Sequence, residues 1–251
     1  IEPLNHRGPD GEGVSLFKSK NATIGFGHKR LSIIDLSQTG KQPMTLSHLH
    51  ITYNGEIYNY QEIKNELLGL GHHFNGKSDT EMILHAYTEW GIKAVKKFIG
   101  MFAIALFDEK KQEVVFIRDR AGVKPLFYYQ KNDLILFSSE LKSFHEHPEF
   151  EKKLDLNAVA AYMQYGNVPT PHCIFKNCAK VKPGHYLKIN LENKSHQETQ
   201  YWNVYDYYNQ PKLKLSFPEA KIQTKELLKS AFNYRMVADV PVGVFLSGGY
   251  D

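Results

Sequence analysis

A chain of 251 residues, 42% hydrophobic and 13% aromatic, can bury a core and has the length for one large domain, or one domain plus part of another. Its 31 basic and 27 acidic side chains leave a net charge of +4, too balanced and too evenly spread for a nucleic-acid surface. The longest nearly unbroken apolar stretch, residues 99–107, is far short of a membrane span, and two cysteines, Cys173 and Cys178, form neither a disulfide framework nor a zinc site, so a reducing cytoplasm is the expected compartment.

Taken in chain order, residues 22–26 and 50–54 carry the β-branched and aromatic residues of strands bounded by turn formers. Asn59 with Glu62 announces a helix through about Leu68, and Ser78 with Glu81 announces another through Trp90, closed by Gly91. Four further extended segments follow at 102–107, 114–118, 126–129 and 134–137. They alternate only loosely, as strands between two layers do. A helix is predicted over 155–165. Residues 191–218 are polar, rich in Tyr, Asn and Lys, and poorly periodic, which suits a connector. Ser216 with Glu219, and Pro218 in the first turn, open a helix through about Met236, striped by Ile222, Leu228, Ala231, Phe232 and Met236. The run Val244-Phe245-Leu246 then reads as a buried strand feeding Ser247-Gly248-Gly249, a turn whose successive N–H groups form an anion-binding nest.

Four segments carry candidate chemistry, each with a plainer alternative. Arg30, beside a short apolar strand, forks onto a carboxylate or is a surface residue at a strand end. Asn54-Gly55 is either a hairpin turn or an oxyanion hole built from the Asn54 amide and the Gly55 N–H. Within Ser78-Asp79-Thr80-Glu81, capping accounts for Ser78 and Glu81, while Asp79 complements the helix dipole or holds an ammonium group. The strand, nest and following Asp251 suit a nucleotide phosphate and its Mg²⁺. The histidines lack the helical spacing of a zinc site, and Arg118-Asp119-Arg120 reads as buried ion pairs that brace a sheet.

In this order the segments resemble the asparagine synthetase (glutamine-hydrolysing) family. The resemblance rests on His6-Arg7-Gly8-Pro9-Asp10-Gly11, Arg30-Leu31-Ser32-Ile33-Ile34-Asp35, Gln42-Pro43-Met44, Asn54-Gly55-Glu56-Ile57-Tyr58-Asn59 and Ser78-Asp79-Thr80-Glu81. It continues through Arg118-Asp119-Arg120-Ala121-Gly122-Val123-Lys124-Pro125-Leu126, Phe137-Ser138-Ser139-Glu140, Val168-Pro169-Thr170-Pro171, Pro183-Gly184-His185 and residues 240–251, so it covers the whole chain. It implies an α+β fold: an αββα sandwich of antiparallel sheets of the N-terminal-nucleophile type over 1–195, a connector over 196–215, and the first helix and strand of a parallel α/β ATP-pyrophosphatase domain over 216–251.

It also implies that glutamine hydrolysis supplies ammonia to an aspartyl-adenylate made from aspartate and ATP. Arg30 and the backbone near Ile33 would take the glutamine carboxylate, Glu56 and Asp79 its ammonium, and Asn54 with Gly55 the oxyanion. Leu246, Ser247, Gly248 and Gly249 would line the ATP site and Asp251 would hold Mg²⁺. No nucleic acid and no membrane is expected as a partner, and a homodimer is left open.

The family nucleophile is a cysteine at the mature N-terminus, whose own α-amino group is the general base. The chain begins at Ile1, and neither Cys173 nor Cys178 matches that position. The chain is therefore read as a segment of a longer protein. Tyr250 stands where the family usually has a small aliphatic residue. Two other readings stay open: a relative that delivers ammonia to another carboxylate or to a sugar carbon in cell-surface polysaccharide synthesis, and an amidotransferase-like scaffold without catalysis. Retention of Arg30, Asn54, Gly55, Glu56 and Asp79 argues against the scaffold.

The resemblance predicts that the complete reading frame places cysteine directly after the initiator methionine, followed by an apolar strand. Sequencing the frame checks this, and serine, alanine or a long extension there would exclude glutaminase chemistry.

Overall fold

Residues 102–108 are buried without interruption, so this segment needs cover on both faces of its sheet. A computed structural model, which describes residues 1–246 and 248, shows how that cover is supplied. The strands are β1 (Gly11–Lys18), β2 (Thr23–Arg30), β3 (Met44–Leu46), β4 (Leu49–Ile57), β5 (Gly100–Asp108), β6 (Glu113–Arg118), β7 (Phe127–Lys131), β8 (Leu134–Ser138), β9 (Cys178–Lys180), β10 (His185–Asn190) and β11 (His196–Gln200). The helices are α1 (Tyr60–Gly69), α2 (Asp79–Trp90), α3 (Leu156–Tyr165), α4 (Tyr205–Tyr208) and α5 (Phe217–Arg235).

Six strands form one antiparallel sheet in the order β11-β10-β6-β5-β4-β3. On one face Ile104, Leu106, Val115 and Ile117 meet Ile63 and Leu67 of α1 and Met82, Ile83 and Leu84 of α2. On the other, Ala103, Ala105, Phe107 and Phe116 meet Ile24 and Phe26 of β2 and the partly buried Ile135 and Phe137 of β8. Two smaller sheets, β1-β2 and β8-β7-β9, make that second layer. The alternation of β5 thus sends its branched residues toward the helices and its alanines toward the second sheet layer. The chain folds as an α+β sandwich of antiparallel sheets. α3 adds little to the core, with Ala158 its one buried residue.

The six strands predicted between residues 22 and 137 lie on or overlap observed ones, and the four predicted helices begin where expected. At Asn59, however, capping takes another form. Its side chain donates to Lys97 O at 3.0 Å and accepts from Ile99 N at 2.9 Å, tying α1 to the entry of β5 and leaving the helix end without a side-chain cap. Glu62 instead accepts from the Tyr234 hydroxyl at 2.6 Å. Ser78 caps α2 through Glu81 N at 3.2 Å, and the Glu81 carboxylate reaches back to the N–H groups of Asn75 and Gly76. The capping box at Ser216 and Glu219 is complete.

Two expectations change. β11 lies in the predicted connector: residues 196–200 pair with β10 and form the outer strand of the large sheet. Its polar side chains are mostly exposed, so hydrogen bonding, and not apolar content, recruits it. The predicted strand through Val244, Phe245 and Leu246 is absent. These residues are irregular and exposed, because among the described residues no neighbouring strand offers them a ladder. The apolar stripe of α5 is likewise exposed, including Ile222, Leu228 and Phe232. After α5 the chain returns to the sandwich: Val237 packs on the helix-side core, and Asp239 N–H donates to Ile33 O at 2.9 Å.

The Arg118-Asp119 pair braces the sheet, but through main-chain partners and not through an ion pair. Asp119, 1% exposed, accepts from the N–H groups of Phe102, Ala121, Val123 and Lys124 at 2.9–3.2 Å. The Arg118 guanidinium donates to the carbonyls of Gly122, Lys124 and Val181 at 2.8–2.9 Å. Together they fold residues 119–125 into a fixed turn at the end of β6. Asp119→Ala strips one buried and three part-buried N–H groups of their acceptor and should lower stability by about 2–4 kcal/mol, read from urea denaturation. A loss near zero would mean that water replaces the carboxylate at no cost.

Candidate functional site

Between the two sheet layers lies a cavity of about 510 Å³. Arg30, Ile33, Asn54, Gly55, Glu56 and Asp79, widely spaced in the sequence, all line it.

Arg30 is the last residue of β2. Its guanidinium donates to the carbonyl oxygens of Ser37, at 2.8 Å, and Asp35, so the loop that follows β2 wraps the cation and fixes its direction. Asp35 organises that loop from a left-handed backbone, φ 56°. Its carboxylate accepts from Ser37 N–H at 3.1 Å, Ser37 Oγ at 2.6 Å, Thr39 Oγ1 at 2.6 Å and Lys77 N–H at 3.1 Å. Burial pushes this acid up, but those hydrogen bonds outweigh it and hold it at about 2. Gly40 is required here, since a Cβ would stand 2.2 Å from Arg30 Nη2. The loop is also tied to the distal segment: Asp35 N–H donates to the Asp239 carboxylate at 2.8 Å.

Asn54-Gly55 is not a turn. Both residues lie inside β4, opposite Ala103 and Phe102 of β5. Gly55 has φ 155°, and a Cβ there would meet Met101 O at 2.1 Å and Phe102 Cα at 2.7 Å. The hairpin alternative is therefore excluded. The Asn54 side-chain amide donates to Ser139 Oγ at 3.3 Å, which brings the Phe137-Ser138-Ser139 segment to the same cavity.

Glu56, Asp79 and Glu146 line the cavity. Asp79, at the start of α2, is buried and accepts from Tyr53 Oη at 2.8 Å and Ile57 N–H at 3.1 Å. Burial pushes it up to about 6 against those hydrogen bonds. Glu56 is half-buried and also pushed up by burial, with the Lys124 ammonium opposing. Lys124 lines the cavity from the turn that Asp119 holds. The Arg30 guanidinium, the Asp79 and Glu56 carboxylates, and the side-chain amide and backbone donors on one cavity complement a zwitterion that carries an amide.

His28 lines the cavity too, with Nε2 donating to Tyr53 O at 3.1 Å. Burial holds it down at about 4, so it stays neutral near pH 7. Tyr53, His28, Lys124 and Ser139 were not identified as site residues from the sequence. Tyr53 and His28 lie on strands beside residues that were named, and Lys124 and Ser139 reach the cavity through partners distant in the chain.

Of the residues expected to bind nucleotide and metal, Ser247, Gly249 and Asp251 lie outside the described residues. Leu246 and Gly248 are exposed, with open space around Gly248. A Ser-Gly-Gly sequence followed by a carboxylate is chemically suited to a phosphate and a hard cation. Among the described residues no helix is long and apolar enough to cross a membrane.

Residues 1–202 match the family model of the glutamine amidotransferase domain, and residues 223–251 match that of asparagine synthase. The chain is 39% identical over 272 residues to a putative asparagine synthetase [glutamine-hydrolyzing] 2 of Methanocaldococcus jannaschii, covering 99% of this chain and 50% of that protein. It is 35% identical over 256 residues to Amidase chry2 of Gibberella zeae, covering 100% of this chain and 36% of that protein. The chain thus spans half or less of the length of these relatives. In fold it is similar to the glutamine phosphoribosylpyrophosphate amidotransferase of B. subtilis, with TM-score 0.55 and 19% identity, covering 80% of this chain and 45% of that one.

Neither cysteine lines the cavity. Burial pushes the Cys173 thiol up to about 11 and the Cys178 thiol up to about 12, so neither supplies a thiolate near neutrality. In the native protein both should react with iodoacetamide at least ~100-fold more slowly than a free cysteine, as followed by peptide mass spectrometry. Rapid labelling of Cys173 would contradict its burial.

Proposed function

The chain belongs to the glutamine amidotransferase family, and from that membership we propose that its cavity binds glutamine, and that the protein hydrolyses it to glutamate and ammonia for an ATP-dependent synthesis of asparagine from aspartate. The observation that carries this reading is the meeting of Arg30, Asn54, Gly55, Glu56 and Asp79 on one cavity. Arg30, already aimed by two carbonyls, takes the α-carboxylate, with the Ile33 backbone beside it. Asp79 and Glu56 take the α-ammonium. Attack on the side-chain amide carbon gathers negative charge on its oxygen, and the Asn54 amide and the Gly55 N–H are the donors for it.

The nucleophile is proposed to be a cysteine on a strand ahead of Ile1, lying between β2 and β8. In support, β2 pairs along its length with β1 alone and β8 with β7 alone among the described residues, and Gly25 and Gly27 of β2 and Phe137 of β8 line the same cavity. Leu246, Ser247, Gly248 and Gly249 are proposed to cradle ATP and Asp251 to hold Mg²⁺, whose charge would offset that of the departing pyrophosphate. The two unpaired cysteines fit the reducing cytoplasm in which we place the protein. The likeness to Amidase chry2 keeps a second reading: the same glutamine site serving a different acceptor.

Arg30→Ala in the full-length protein tests the assignment. Loss of a charge-assisted pair in a partly buried site should cost on the order of 2–4 kcal/mol of glutamine recognition, or roughly 30- to 1000-fold in kcat/KM for glutamate release. Added ammonia bypasses the site, so pyrophosphate release with ammonium and aspartate should stay near wild type. Equal loss with both nitrogen sources would make Arg30 a structural residue, and full ammonia-dependent turnover without aspartate would favour the second reading.

A further inference from the structure

We propose that Tyr53 is a positioning residue of this site, its hydroxyl orienting the Asp79 carboxylate toward the substrate ammonium. The inference rests on the glutamine reading above and deepens it. Tyr53 is packed in the helix-side core, yet each of its polar groups is engaged. Its N–H donates to Gln42 Oε1 at 2.6 Å, its carbonyl accepts from His28 Nε2 at 3.1 Å, and its hydroxyl donates to Asp79 Oδ2 at 2.8 Å. Gln42 closes the ring by donating through Nε2 to Thr80 Oγ1, at 3.1 Å, on the residue next to Asp79. The first turn of α2 is thereby fixed to β4 one residue before Asn54. Tyr53 thus links the acid to the strand that carries the oxyanion donors.

Burial of a core tyrosine does not require this arrangement, because phenylalanine fills the same volume. The hydroxyl also acts on charge. Asp79 is driven toward its neutral form by burial, and the hydrogen bonds from Ile57 N–H and the Tyr53 hydroxyl pull it back. The groups around it are Glu56 on β4, which adds a like charge, and Tyr60 at the start of α1, itself near Asp35 and Asp239. Arg30 and Lys124 line the same cavity. β3 brings only Met44, Thr45 and Leu46. Burial and the neighbouring acids push the Tyr53 phenol well above its ordinary range, so it remains a donor at every working pH.

The sign follows directly. Only ionised Asp79 attracts an ammonium, so glutamine use falls as pH drops through about 6. Without the hydroxyl the neutral acid is favoured further, and the fall moves to higher pH. The test is Tyr53→Phe in the full-length protein, with glutamate release measured from about pH 5 to 9. The acid limb of kcat/KM should move up by roughly one unit, giving about a fivefold loss at pH 6 that approaches tenfold near pH 5 and recovers at high pH, while ammonia-dependent synthesis stays unchanged.

An unmoved limb, or a loss independent of pH, overturns the proposal. Should Tyr53→Phe be too unstable to assay, Asp79→Asn and Tyr53→Phe/Asp79→Asn in matched thermal melts decide instead. If the hydroxyl acts through the acid, removing it costs less stability once Asp79 is an amide. Additive losses overturn it as well. A wild-type protein that releases no glutamate refutes the glutamine reading itself. A normal wild type beside an unshifted Tyr53→Phe refutes this inference alone.

Discussion

Nine consecutive residue pairs, from Leu49 opposite Asp108 to Ile57 opposite Gly100, join β4 to β5, and the site is an outgrowth of that ladder. Two glycines bring the strands together at one end: a Cβ on Gly55 would stand 2.1 Å from Met101 O, and one on Gly100 2.2 Å from Glu56 O. No other residue type permits that approach without moving a strand. Because Asn54, Gly55 and Glu56 occupy this stretch, their placement is a property of the sheet and not of a loop. The neighbouring residues Tyr53 and Ile57 are held by the same pairing, and both donate to Asp79. Strand register thus reaches through one acid into the first turn of α2.

Such a site carries an electrostatic load. A buried acid at about 6, set against an ordinary value near 3.8, makes ionised Asp79 destabilising by roughly 3 kcal/mol at neutral pH. The native value is raised, so the penalty is complete above about pH 6 and fades as pH falls toward 4. A cation brought beside the carboxylate recovers part of it. The fold therefore stores at this acid free energy that a neighbouring cation can release. Asp35 shows the opposite solution: its four hydrogen bonds keep it charged while it shapes the loop around Arg30.

Much of this was legible in the sequence where the signal was local. Caps at Ser78 and Ser216 mark helix starts because each cap bonds within a few residues. The apolar strands β4, β5 and β6 announce their own burial. Local signals failed where the deciding partner was distant. β11 reads as connector because its pairing with β10, and not its composition, makes it a strand. Asn54-Gly55 reads as a turn until β5 lies alongside. Lys124 reaches the cavity only because Asp119 folds the turn that carries it. At 244–246 the apolar run misled, since a strand exists only with a neighbour to bond to. The family resemblance named Arg30, Asn54, Gly55, Glu56 and Asp79 together, which no single residue's neighbourhood allowed.

The order of the large sheet also governs how the chain assembles. β4, β5 and β6 follow one another in space, with α1 and α2 filling the interval before β5, so they can pair as soon as they are synthesised. The outer edge of β6 has a different history. Its partner is β10, whose Tyr186–Asn190 stretch pairs with Ile117–Glu113 across the whole β7–β9 region. Until that stretch leaves the ribosome, Val114, Val115, Phe116 and Ile117 sit on an open strand edge, free to join another nascent copy. Closing the sheet is a late, high-contact-order event. The hairpin that looks least structural in composition is the one that ends the interval of greatest aggregation risk.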